Sequence, residues 1–350
     1  ERTKRIMAYT TINKSSSFMN PKLFVGNSST NAITGVGFQP DLVWTKNRQD
    51  TYNHSLFDSV RGTTKRIASN ETIAEATVSA SLTAFDSDGF TLGNDTTSNA
   101  SNNYASWNWK AGTSFNNNAG ANGASLASTG SVNTTSGFSI VSYTGYSPNA
   151  STVYHGLGTV PKMIIFKRLV GAANWAIYNE TLGNTKAVFL NSQSAPDTSS
   201  GYFNDTTPTN QVFSVANSGD TNSNGNPMIA YCFSEVPGFS KIGSYRGNNS
   251  TNGTFVYTGF KPSFLMVYNY TAGNENWMLV DNKRDGFNVE NEQLFPNTNI
   301  AEESNDEVDL LSNGFKLRRN NSRMNGVTPY IYMAFGQSLV GTNNIPNNAR

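Results

Sequence analysis

The chain has 350 residues, enough for two or three domains that each bury a core. Only 14% of the residues are charged and the net charge is +1, so there is no basic field to attract nucleic acid and no acidic one to gather cations. Solubility rests on Asn, Ser, Thr and Gly, the profile of an extracellular or virion surface, and the single cysteine, Cys232, excludes an internal disulfide and a sulfur-rich metal centre.

In chain order, residues 1–20 read as an N-terminal arm. Within it Met-Ala-Tyr from Met7 reads as an ordinary translation start without a signal-peptide core, which predicts exit from a cell by lysis. Residues 21–112 form a first β unit and 113–136, almost pure Gly, Ala, Asn, Ser and Thr, a flexible linker or surface strap. Second and third units follow at 137–237 and 238–338, joined directly at Pro237-Gly238, and 339–350 is a polar tail. The second and third units are expected to pack as a rigid pair, with the first able to sit elsewhere. Apolar runs such as 162–166 and 264–267 are strand-sized, far short of the roughly 20 residues of a membrane-crossing helix, so no membrane insertion is expected.

The three units are read from ordered landmarks. TGVGFQPDLVWTK, HGLGTVPKMIIFK and YTGFKPSFLMVYN align on Pro40, Pro161 and Pro262. Strands ending at Gly26, Gly145 and Gly247 precede these prolines by 14, 16 and 15 residues, and Asp58, Asn179 and Asp281 follow by 18, 18 and 19. Phe90, Phe213 and Phe315 follow by 50, 52 and 53, and the closing aromatics Trp109, Phe233 and Phe335 come 19, 20 and 20 residues later. Each closing strand alternates large and small side chains, as in Trp107-Asn108-Trp109 and Tyr231-Cys232-Phe233. This predicts an all-β fold of three tandem diverged repeats, each an antiparallel β-sandwich-like unit. Only residues 70–79 carry a helical pattern.

Few residues point to chemistry. His155 opens HGLG, aligned with Thr34 and Tyr257, and reads as a strand end; His54 has no nucleophile pattern beside it. Paired carboxylates, the minimum for a glycosidase, occur as Asp86 and Asp88 in FDSDGF and in the acidic run Glu302, Glu303, Asp306, Glu307 and Asp309. FDSDGF lacks the full calcium-loop spacing, with Thr91 and Gly93 where ligands are wanted, and reads as a turn because its counterpart LSNGF carries Asn313. The acidic run reads as a solvated loop. Trp175 and Trp277 align with each other and with Leu56, so they are expected in the core. Tyr146, Tyr202 and Tyr270 fall off the pattern and are the candidate exposed binding aromatics. No catalytic residue, metal site or cofactor is assigned.

The strings QPDLVWTKNR, LFDSVRGTTK, LTAFDSDGFTLG, ASWNWKAG, HGLGTVPKMIIFK, IAYCFSEVPGFSKIGSYRGN, VDLLSNGFKLR, YIYMAFGQ and NNIPNNAR resemble a family of small virion-associated proteins of marine bacteriophages, over nearly the whole chain from Met7. The resemblance implies a non-enzymatic structural protein located in the virion, a tail fibre, tail appendage or surface protein, with host-glycan attachment as a further role. Capsid decoration is one alternative, and a glycan depolymerase using carboxylates is an alternative of another class. The expected partners are other virion proteins, host surface glycans and copies of the chain itself, as a homotrimer.

Overall fold

The computed structural model describes residues 10–340, apart from 148 and 272 and the side chains of 306 and 307. Residues 1–9 of the expected arm and 341–350 of the expected tail lie outside the described residues.

The regular secondary structure of the described residues is almost entirely β-strand. Its first part forms β1 (Met19–Val25), β2 (Asn31–Ile33), β3 (Leu42–Asn47), β4 (Ser55–Asp58), β5 (Lys65–Arg66), β6 (Ala76–Thr77), β7 (Leu82–Asp86), β8 (Gly89–Leu92) and β9 (Asn103–Trp109). There follow β10 (Thr113–Asn117), β11 (Ser128–Asn133), β12 (Phe138–Thr144), β13 (Ser151–Tyr154), β14 (Met163–Arg168), β15 (Ala176–Asn179), β16 (Gly183–Phe189), β17 (Asp197–Thr198), β18 (Val212–Val215) and β19 (Pro227–Phe233). The last part holds β20 (Ser240–Arg246), β21 (Phe255–Tyr257), β22 (Lys261–Asn269), β23 (Met278–Asp281), β24 (Glu290–Gln293), β25 (Glu303–Leu311), β26 (Gly314–Leu317) and β27 (Pro329–Gln337). The helices are single turns, α1 (Thr96–Asn99) and α2 (Ser200–Phe203). Residues 70–79, expected to be helical, instead form a turn and β6.

Three antiparallel central sheets carry the fold. Their orders are β1-β9-β3-β4, β12-β19-β14-β15 within a larger sheet, and β20-β27-β22-β23. The register matches at the ends of the inner strands: Leu42 pairs with Trp109 and Asp58, Met163 with Phe233 and Asn179, and Phe264 with Phe335 and Asp281. Against each central sheet lies an outer one: β2-β8-β7, β13-β18 and β21-β26-β25-β24.

The central sheets are buried on both faces, so β14 and β19 are largely apolar, while β3 and β9 also bury polar side chains such as Thr45, Ser106 and Asn108. One face of each contributes to a single shared core: Leu42, Trp44, Trp107 and Trp109 from the first, Met163, Ile165, Tyr231 and Phe233 from the second, Phe264, Met266, Met333 and Phe335 from the third. The opposite faces make three separate cores under the outer sheets. Val43 and Phe57 meet Phe90, Ile164 and Phe166 meet Phe213, and Leu265 and Val267 meet Phe315. The small alternates in the closing strands, Ala230, Cys232 and Ala334, therefore face a second core rather than solvent, and their size leaves room for those phenylalanines.

Two expectations of organisation are corrected. The first part of the chain is not free to sit elsewhere, because it shares the central core with the other two. Residues 113–136 are not a flexible linker: β10 and β11 extend the second sheet, in the order β10-β11-β12-β19-β14-β15-β16-β17. Strands at and next to a sheet edge need mainly main-chain pairing and one packed face, so a Gly-, Ser- and Asn-rich stretch can serve. The acidic run is likewise a strand, β25, and not a solvated loop, with Glu302 just before it in a buried ion-pair network.

Candidate functional site

The side chains of greatest chemical interest lie where the three central sheets meet. At the middle, the rings of Trp109, Phe233 and Phe335 form a triangle with centroid separations of 6.3, 6.0 and 5.9 Å.

Around it, each sheet donates one ring N–H to a main-chain carbonyl of the next. Trp175 Nε1 donates to Ala68 O at 2.9 Å and Trp277 Nε1 to Phe189 O at 2.9 Å. His54 Nε2 meets Phe295 O at 3.0 Å. Each of the three lies four residues before the end of its strand, β4, β15 or β23. The acceptors correspond as well, each following by one the residue bridged to Leu56, Ile177 or Leu279. The residue matching the two tryptophans is thus His54, not Leu56; the two have the same strand parity, so hydrophobicity alone favoured the wrong one. Three contacts link first to third, second to first and third to second, and close a ring.

His54 is fully buried. Its Nδ1 accepts from Trp44 Nε1 at 2.8 Å, which makes Nε2 the donor to Phe295 O and fixes the neutral tautomer. Burial first, then the neighbouring Lys46 ammonium, holds its pKa well below 6.5. Lys46 is itself pulled down to about 8 by burial, and its ammonium donates to Asn47 O.

A second set of contacts crosses the same boundaries. Asp58 Oδ2 accepts from Tyr231 Oη at 2.7 Å and from its own Arg61 Nε at 2.5 Å, while Oδ1 caps the turn at Val60 and Arg61. Asp281 repeats this with Trp107 Nε1 at 2.9 Å, Arg284 Nε at 2.8 Å and the amides of Lys283 and Arg284. At the third boundary the corresponding residues are Asn179, Leu182 and Met333. Met333 has no proton to donate, and Asn179 Nδ2 is buried without a hydrogen-bond partner.

The first-to-third boundary is the most polar. Glu302 bridges Arg48 at 2.6 Å and Arg284 at 3.0 Å. Burial, with Asp285 next in weight, pushes the nearby Glu290 up to about 8; burial and Glu302 push Glu292 to about 7. Cys232 is buried and its thiol is pushed well up by burial, so it stays protonated.

The sequence candidates are scattered. Tyr146 is exposed at 56%, with its amide bonded to Asn222. Tyr202 is a correction: it lies in α2, only 8% exposed, with its hydroxyl on Asp197, because α2 turns its ring into the second core. Tyr270 is half-buried against the central core. Trp175 and Trp277 are fully buried, as expected. His155 is a buried strand-end residue, with Nε2 on Thr209 O. FDSDGF is the β7–β8 turn; Asp88 accepts from the amides of Gly35 and Gly37, which lower its pKa, and Asp86 accepts from Thr91. Among the described residues, no three His, Cys, Asp or Glu side chains are grouped to hold a metal ion. A polar cleft of about 310 Å³ lies between β1, β22 and β27, lined by Ser15, Asn20, Lys261, Asn282, Lys283 and Gln337.

No curated protein and no solved structure matches the chain. A family model described as a domain of unknown function, DUF7483, matches residues 14–338, a span that takes in all three central sheets as one domain, and the chain belongs to that family.

Proposed function

We propose that the chain is a non-enzymatic structural protein of a bacteriophage virion, a tail fibre, tail appendage or surface component, made of three diverged copies of one antiparallel β-sandwich. The repeat reading is supported by the common strand order of the central sheets, by the matched pairings at Leu42, Met163 and Phe264, and by the ring of equivalent N–H to carbonyl contacts.

One observation carries the structural reading. Several of the groups best suited to acid–base chemistry are spent on holding sheets together. Both nitrogens of His54 are bonded, and Asp58 and Asp281 each hold an arginine and a side chain from a neighbouring sheet. Spikes and fibres commonly close three subunits about one axis. Here one chain makes the three-way contact, so it acts as a single copy where a homotrimer of smaller units would otherwise serve.

Immunogold labelling of purified particles and light scattering of the isolated protein test this. Labelled virions and a monomeric mass are expected. Protein absent from particles, or cleavage of host polysaccharide by the pure protein, would overturn it in favour of a soluble or depolymerase role.

A further inference from the structure

The second and third sandwiches differ in how the free edge of the outer sheet is treated. In the second, β13 is the edge strand, and residues 123–128 cover it. Leu126 forms a parallel bridge with Val153, and the amides of Ser125 and Leu126 donate to Thr152 O at 3.0 and 3.1 Å. Ser128 Oγ donates to Tyr154 O at 3.0 Å, and Phe115 packs edge-on against the Tyr154 ring at 5.6 Å. All these covering residues come from the segment between β9 and β12.

The corresponding strand of the third sandwich is β21, matched through the pairs Val153–Phe213 and Val256–Phe315. No segment precedes β20 to cover it, because β19 ends at Phe233 and β20 starts at Ser240. Among the described residues β21 stands at the end of its sheet, with β26 as its one strand partner. Its main chain at Phe255 and Tyr257 faces outward, the orientation that Thr152 and Tyr154 have in β13. The two side chains are exposed, 44% and 55%, while Val256 between them is buried. A bare strand edge with two apolar rings is a template that proteins ordinarily cover or blunt.

We propose that β21 is a docking edge for an extended segment of a partner polypeptide, which adds as a strand and lays an aliphatic side chain beside Val256 at the rim of the third core, as Leu126 lies beside Val153. The occupant's chemistry is taken from the segment that closes β13: small uncharged residues around one aliphatic side chain, pairing through the main chain. The ammonium of Lys241 over the Tyr257 ring, 5.8 Å from its centroid, places a cation at the rim, which favours an acidic residue at the segment's end. The proposal rests on the equivalence of β13 and β21 and not on a virion location.

The test uses the full-length protein and a synthetic peptide with the sequence of residues 121–130, extended by one aspartate, followed by amide hydrogen exchange. At about 1 mM peptide, exchange at Phe255 and Tyr257 should slow by about tenfold or more, with Val256, already facing β26, unchanged. The same peptide N-methylated at the residues matching Ser125 and Leu126 should give no slowing, since neither of the amides that donate to β13 is then free. Absence of slowing with the unmodified peptide overturns the proposal. Equal binding by the N-methylated peptide overturns it in favour of side-chain stacking. Slowing that follows protein concentration without peptide overturns it in favour of a second copy. Failure of virion labelling, by contrast, leaves these outcomes unaffected.

Discussion

His54 occupies a position that the other two sheets fill with tryptophan, and the difference makes one boundary sensitive to acid. The folded chain holds the imidazole neutral, whereas the unfolded chain takes up a proton near pH 6.5. Stability is therefore intact above that value and is lost as the pH falls below it, by up to about 1.4 kcal/mol per pH unit. His54→Gln, which can still accept from Trp44 and donate to Phe295, should lose less than the unaltered protein in urea unfolding between about pH 6.5 and 5.5. Identical losses would show that the imidazole does not hold this joint. Glu290 acts with the opposite sign. Its carboxyl is raised from 4.5 to about 8, so its contribution is complete below pH 4.5 and disappears as the pH rises through about 8. Glu290→Gln should remove the fall in stability that this carboxyl contributes between about pH 4.5 and 8.

At the scale of elements, the joints are strands whose ends carry buried ion pairs. The Arg61 side chain is only 3% exposed against Asp58, with Glu75 at 3.0 Å. Removing the carboxylate in Asp58→Ala should cost about 3–5 kcal/mol, because a guanidinium is left in the core. Tyr231→Phe, which deletes only the crossing hydrogen bond to a charged acceptor, should cost about 1.5–3 kcal/mol. Equal losses in denaturant melts would contradict that ranking. The closing aromatics are common to three sheets, so Phe233→Ala and Phe335→Ala should each cost about 3–5 kcal/mol and combine non-additively. On β11, a Cβ added at Gly130 would stand 2.1 Å from Ile140 O and 2.6 Å from the Phe115 ring. Gly130→Val should therefore detach the β10–β11 hairpin, seen as new protease cleavage within 113–133, while the central sheets persist.

For the whole molecule, the shared core predicts one cooperative transition. Residues 137–237 alone would expose Ile140, Met163, Ile165, Tyr231 and Phe233 on one sheet face, all fully or nearly fully buried in the intact chain. That fragment should bind a hydrophobic dye and associate, and the intact chain should melt in a single step by circular dichroism and fluorescence alike. Three resolved transitions would mean that the sandwiches are stable on their own.

The all-β class, the turn at FDSDGF, the closing strands and the burial of Trp175 and Trp277 were legible in the sequence, because alternation and turn residues are local signals and the landmarks recur at near-constant spacing. The strands at 113–117 and 128–133 were not, since small polar residues can pair through the main chain without the apolar alternation that marks a core strand. Nor could the sequence show that the central sheets are covered twice, or that Asp58 and Asp281 serve neighbouring sheets while Asn179 Nδ2 is left without a partner. Those facts depend on which surfaces meet across more than 100 residues of chain, as Tyr231 and Asp58 do at a separation of 173. Local sequence decides which residues can form a strand and which face is apolar; only packing in three dimensions decides what that face is buried against.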